Sequence, residues 1–222
     1  MCIRDRRYTS QTTQKLEHDL ALLSDPDPFE KLVNEIMIER GRVELQAQDL
    51  ERRSVTNPIY PMLKILLRKN EAVDWSNGVP LSKTIGKAFE IQAHHIFPKS
   101  QLYKHGYDSK NGRHIQLVNE ISSIVLVTSD ANMDFFIDLP KNYLPIVKKK
   151  YPGELEKQFI PMNENLWELE NYEDFLKERR KLIAQAINKF IKELPYEKTK
   201  EVQIEELLEK EENLTLEFKE TL

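Results

Sequence analysis

Apolar residues recur along the chain at two periods, and each period predicts a different kind of element. From Thr9 to Leu23, Leu16, Leu20 and Leu23 are spaced by four and three, which places them on one face of a short helix; Asp25 to Pro28 breaks it. From Phe29 to about Leu50, the residues Phe29, Leu32, Val33, Ile36, Met37 and Val43 form a second helical stripe. Asn57 and Pro58 read as a cap and first turn ahead of Tyr60, Leu63, Leu66 and Leu67. All three stripes are expected to pack on their neighbours as a helical scaffold. Asp74 to Leu81, with Trp75, Gly78 and Pro80, reads as a turn-rich connector.

Beyond the connector the texture changes. Phe89 to Phe97 and Ser123 to Val127 are short β-branched or aromatic runs that predict two strands, joined by a polar loop containing Gly106, Asp108, Asn111 and Gly112. Thr128, Ser129 and Asp130 are N-cap candidates for a short helix carrying Asn132. Pro140, Pro145 and Pro152 punctuate the next stretch. Tyr172 to Leu194 then carries the strongest helical period, with Phe175, Leu176, Leu182, Ile183, Ile187, Phe190 and Ile191 along one face, until Pro195 ends it. Arg179 and Arg180 on that helix are expected to form surface pairs with acids. The remainder, from Lys198, is acidic and reads as a linker.

Composition narrows the function classes. Lys and Arg total 33 against 37 Asp and Glu, for a formal net charge of −4, so any surface for DNA must be local. Cys2 is the single cysteine, which excludes an internal disulfide and the paired thiolates of a zinc knuckle. No apolar run is long enough to span a bilayer and no signal-peptide core is present, so a cytoplasmic location is expected.

The segment HHIFPKS, from His94 to Ser100, carries the chemistry. Adjacent histidines at a strand end followed by Pro98 put two imidazoles where the chain turns outward. Phosphodiester hydrolysis needs an activated water and stabilisation of the leaving oxygen; an imidazole titrates near neutrality and can accept the proton of water, and a divalent ion can neutralise the developing charge. A strand, loop, strand and helix can bring a histidine and an asparagine to one ion with positions left open. Lys99, Lys104, Lys110 and Arg113 make the inter-strand loop basic, as a phosphate-tracking surface requires, although charged loops are usually only solvated. His105 and His114 are further potential ligands, though loop histidines are more often bystanders, and Asn119 reads as a cap or turn residue.

HHIFPKS, together with VNEISSIVLVTSDAN from Val118 to Asn132, resembles the ββα-metal core of HNH nucleases. The segments PKNYL, FIPMNENLW and YEDFLKERRKLIAQAINKF are similar to the carboxy-terminal nuclease half of GmrSD-type restriction endonucleases. The resemblance implies that His94 and Asn132 are metal ligands, that His95 is the general base, and that Ser123 stands where the family usually has an asparagine holding the catalytic loop. A serine there is expected to leave that bridge incomplete or water-mediated. It further implies Mg2+ or Mn2+ as cofactor, with nickel or zinc tolerated, foreign or modified DNA as substrate, and a nucleotide-binding half with a ParB-like fold as partner. No phosphate-cradling glycine loop for that half is found here. Homodimerisation is left open. Leu216 to Leu222 is similar to the opening of an AlbA-like domain of Schlafen-type proteins.

The expected fold class is α+β, mainly helical, with a small ββα-metal HNH core and a long C-terminal helix. The expected organisation is a non-native leader at 1–8, a helical lobe at 9–88, the nuclease core with its helix at 89–195, and an acidic linker with the start of a further domain at 196–222. The rival readings are a catalytically impaired DNA-binding or assembly module derived from such a nuclease, and a purely structural helical adaptor.

Overall fold

The structure is a computed structural model in which residues 11–42, 44–83, 91–128 and 138–194 are described. The expectations for the leader, for Ser129 and Asp130 as caps, for Asn132 and for the acidic segment after 195 lie outside those residues. The described residues up to Phe190 belong to one compact unit; those of the second unit, 191–194, contain the end of the last helix.

Two helices come first, α1 (Thr12–Leu22) and α2 (Pro28–Arg40). Pro28 suits the first turn of α2 because its missing N–H would have no intrahelical acceptor there. Gly41 ends the helix in the left-handed region, φ 69°, and its N–H donates to the Met37 carbonyl at 2.7 Å. The first stripe does not pack as expected: Leu16, Leu20 and Leu23 are 44%, 53% and 59% exposed. Periodicity assigns these leucines to one face, but a face is buried only where another element meets it. The α3 helix (Tyr60–Lys69) buries Tyr60, Leu63, Leu66 and Leu67, and begins later than Asn57–Pro58 suggests, with Pro61 in its first turn.

The two strands, β1 (Ile91–His95) and β2 (Ile124–Thr128), pair antiparallel with His94 opposite Val125 and His95 opposite Ile124. The Ile96 N–H extends the ladder by donating to the Ser123 carbonyl at 2.8 Å. A two-stranded ribbon is marginal alone, and here β2 is buried along its length. At Leu126 its outer edge is closed by a side chain. The Leu126 N–H donates to Gln158 Oε1 at 3.1 Å, and Gln158 Nε2 returns a bond to the Leu126 carbonyl at 3.2 Å, so the amide substitutes for a third strand.

The segment between the strands is not the expected polar loop. It contains α4 (Lys99–Lys104) and α5 (Gly112–Val118), anchored by buried Leu102, Leu117 and Val118. Helices this short give no repeated apolar spacing to read. Asn111 caps α5, accepting from the Arg113 N–H at 2.9 Å. The proline-punctuated stretch likewise forms α6 (Pro140–Lys150). Pro140 occupies its first turn and Pro145 lies on the exposed side, where water can serve the carbonyl that loses its N–H partner.

After α7 (Glu154–Lys157), the long α8 (Tyr172–Glu193) buries Tyr172, Phe175, Leu176, Arg179, Ile183, Ala184 and Ile187. The Phe97 ring, just past β1, meets Tyr172 and Phe175 edge-on at 5.0 and 5.1 Å. Each such fully buried side chain contributes about 1.5–3 kcal/mol relative to exposure, and this cluster ties the histidine-bearing strand to α8. The protein is thus a mostly helical α+β fold with a small antiparallel sheet and a long C-terminal helix. Among the described residues no helix is long and apolar enough to cross a membrane.

Candidate active site

Successive strand residues face opposite sides, so His94 and His95 at the end of β1 do not share a face. His94 is half-buried and its Nδ1 lies 3.2 Å from the His95 carbonyl oxygen. Burial lowers its pKa, opposed by that carbonyl and by the charge of Asp74.

His95 is more perturbed. Burial, then the charges of Lys99 and His94, push its pKa down to about 4, while the Asn119 side chain and the Val118 carbonyl act in the opposite sense. At neutral pH the imidazole is unprotonated. Its Nε2 is buried without a hydrogen-bond partner among the described residues, which costs roughly 1–3 kcal/mol. The buried atoms without a partner among the described residues also include Trp75 Nε1, Ser122 Oγ and Arg179 Nε; of these groups the neutral imidazole is the one able to accept a proton near neutrality.

Val118 and Asn119 of the 117–123 segment face His95, and several peptide groups of that turn are bonded outside it. The Leu117 carbonyl accepts from Tyr172 Oη at 3.0 Å, the Ile121 N–H donates to the Arg53 carbonyl at 2.6 Å, and the Ser122 carbonyl accepts from Arg179 Nη1 at 2.9 Å. Asn119 Nδ2 donates back to the Ile115 carbonyl in α5 at 2.8 Å, and the Asn119 side chain also meets His95.

Ser123 is fully enclosed, and its hydroxyl lies 2.8 Å from the Val118 carbonyl and 2.7 Å from the Glu120 carbonyl. The 3-10 turn at Ile121–Ser123 brings both carbonyls within reach of this short side chain, but the hydroxyl carries one proton and donates to one of them at a time. The Val118 carbonyl also faces His95, so the Ser123 hydroxyl and the imidazole meet at the same group.

Arg179 and Arg180 are not surface pairs. Arg179 is buried and donates to the Ser122 and Gln158 carbonyls at 2.9 and 3.0 Å; burial lowers its pKa to about 9. Arg180 grips the fully buried Glu120 carboxylate with Nε and Nη2 at 2.6 and 2.7 Å. Both face inward because the turn presents its acceptors to α8, a tertiary fact that helical period does not carry.

Lys99, Lys104, Lys110 and Arg113 are exposed, and none has an ion-pair partner among the described residues; the Lys99 charge is felt at His95. His114 is engaged structurally: its Nδ1 accepts from the Asp108 N–H at 2.9 Å and its ring meets Tyr107 edge-on. His105 is exposed at the end of α4.

Asn132 lies outside the described residues, so its approach to the histidines is not seen. Among the described residues no three His, Cys, Asp or Glu side chains are grouped to hold a metal ion. The described donor set is one imidazole, His94, which suits an open-sided ion once a second donor joins it. One residue that the sequence reading passed over is Asp74. Its buried carboxylate accepts from the Thr128 N–H and Oγ1 at 2.6 and 2.8 Å and from Ser76, pinning the end of β2 and placing charge near His94. The run DWSNG signals the turn, but nothing in it points to a partner more than fifty residues away. No protein-family model, curated protein or solved structure matches the chain.

Proposed function

We propose that this chain carries the site of a divalent-metal-dependent DNA endonuclease of the HNH type, with the nuclease part of a restriction or anti-phage protein as its setting. The observation that carries the reading is the His95 Nε2 atom: buried, unpartnered among the described residues, unprotonated at neutral pH, and flanked by a second histidine. His95 is the general base, taking a proton from the water that attacks phosphorus. His94 and Asn132 would hold Mg2+ or Mn2+, and the ion would supply charge stabilisation at the phosphate and leaving oxygen. The 117–123 turn holds the imidazole in place through Val118 and Asn119. Lys99, Lys104, Lys110 and Arg113 offer free cations to the DNA backbone.

A module that binds DNA without cutting is the second reading. It rests on the exposed cations Lys99, Lys104, Lys110 and Arg113, which can follow a DNA backbone whether or not a strand is cut. Incubation of supercoiled plasmid with the full chain decides between them. The nuclease reading expects nicked circles with Mn2+ or Mg2+ and none with a chelator, whereas DNA retarded in a gel but intact with either metal favours the binding module.

A further inference from the structure

Glu120 is the junction of three parts of the fold. Its carboxylate is fully buried and receives Arg180 from α8 through two bonds, and the Arg52 N–H from the segment preceding α3 at 2.8 Å. Its own carbonyl lies 2.7 Å from the Ser123 hydroxyl. Arg52 adopts φ 56°, the left-handed region that non-glycine residues rarely enter. That conformation aims its N–H at Glu120, and the next residue, Arg53, accepts from the Ile121 N–H. Strain of this kind persists only where the surroundings over-determine it.

Burial of such a pair is not a stability device by default, since desolvation of two charges offsets most of their attraction and an apolar pair of similar volume often does as well. What the pair does supply is a fixed position. Val118 and Asn119, the two groups that engage the His95 imidazole, immediately precede Glu120. The Ile96 N–H, one residue beyond His95, donates to Ser123 at the other end of the same turn. A displacement of Glu120 therefore moves both contacts of the imidazole together.

We infer that Glu120 and Arg180 are positioning residues for His95, acting through the 117–123 turn. The inference rests on the nuclease reading for its catalytic consequence but not for its structural one. A shift of about an ångström in a catalytic group can lower a rate by on the order of a hundredfold, so the pair has leverage on turnover while touching neither DNA nor metal.

The test uses the full chain with Arg180→Gln, which breaks the pair, and Arg180→Lys, which keeps the charge and loses the fork. His95 ring resonances are assigned by comparison with His95→Gln, and nicking is measured as turnover and as DNA concentration dependence. The expected result is a displaced His95 ring resonance in Arg180→Gln with those of His18 and His105 unmoved, a turnover lowered by about tenfold or more at unchanged KM, and intermediate values for Arg180→Lys. If Arg180→Gln does not fold, Glu120→Gln, which retains an acceptor for the Arg52 N–H, takes its place. A folded variant whose His95 resonance stays at its wild-type position overturns the inference, as does a turnover that stays unchanged in a wild type able to nick. Should wild type fail to nick, the nuclease reading falls, and the His95 resonance alone decides the positioning role.

Discussion

The two segments that flank the histidines are built on opposite plans. Residues 117–123 are bonded to α8, to the Arg52–Arg53 segment and to one another, with Glu120, Ser122 and Ser123 buried and the Ser122 hydroxyl alone among those three side chains without a partner among the described residues. Residues 99–113 expose four cations that bond to nothing charged among the described residues. A group that must hold a catalytic side chain gains from being over-determined, because every lost degree of freedom narrows where the imidazole can point. A group that must meet a phosphate backbone gains from staying unpaired, because an internal ion pair would have to break first.

The contrast is broken most severely at Arg179. Replacing it with Met leaves the Ser122 and Gln158 carbonyls unbonded, each at roughly 1–3 kcal/mol, so Arg179→Met is expected to destabilise by about 2–5 kcal/mol in urea unfolding. A loss below 0.5 kcal/mol, on the order of an ordinary surface substitution, would place the turn's anchorage elsewhere.

Acid sensitivity comes next. His95 titrates near 6.5 when unfolded and about 4 when folded, so its contribution is fully present above about pH 6.5 and is lost as pH falls toward 4, because the unfolded chain takes up the proton first. The difference is on the order of 3 kcal/mol. His94, also lowered by burial, acts in the same direction. Urea midpoints measured from pH 7 to 4 are expected to fall less steeply for His95→Gln than for wild type; parallel curves would mean that the imidazole is not desolvated.

Ser123→Asn is a smaller perturbation. The serine is enclosed, with two carbonyls already close around its hydroxyl, so the larger side chain is expected to cost about 1–3 kcal/mol by overpacking and to slow nicking. A variant that is faster and equally stable would show that the turn has room for the family's asparagine. Smallest in energy is the basic segment: Lys104→Ala with Arg113→Ala is expected to leave the melting temperature alone and to reduce the salt slope of DNA binding by about 2. An unchanged slope would remove these cations from the DNA surface.

The elements legible in the sequence are those long enough to show a period or bounded by strong turn signals. The run Tyr172–Leu194 matches α8 (Tyr172–Glu193), and the two β-branched runs match β1 and β2 within two residues. The short helices α4 and α5 escape because six or seven residues hold no repeat, and α6 escapes because Pro140 and Pro145 read as breaks although one sits in the first turn and the other faces water. Within the candidate site, His94 and His95 stand out in the sequence as adjacent histidines at the end of a strand. Asp74, Glu120, Arg179 and Arg180 do not, since their roles depend on partners 54 to 68 residues away or on which side of a helix meets the turn. Exposed Leu16, Leu20 and Leu23 make the same point in reverse: the pattern names a face, and only the fold says what covers it.

The central claim is that His95 works on water while His94 holds the ion. Mn2+ affinity by calorimetry, together with plasmid nicking under single-turnover conditions, separates the two roles in His94→Ala and His95→Ala. The account predicts that His95→Ala binds Mn2+ as wild type does and nicks at least about a hundredfold more slowly, and that His94→Ala loses Mn2+ affinity. Wild-type nicking by His95→Ala, or loss of Mn2+ in His95→Ala but not in His94→Ala, would contradict it.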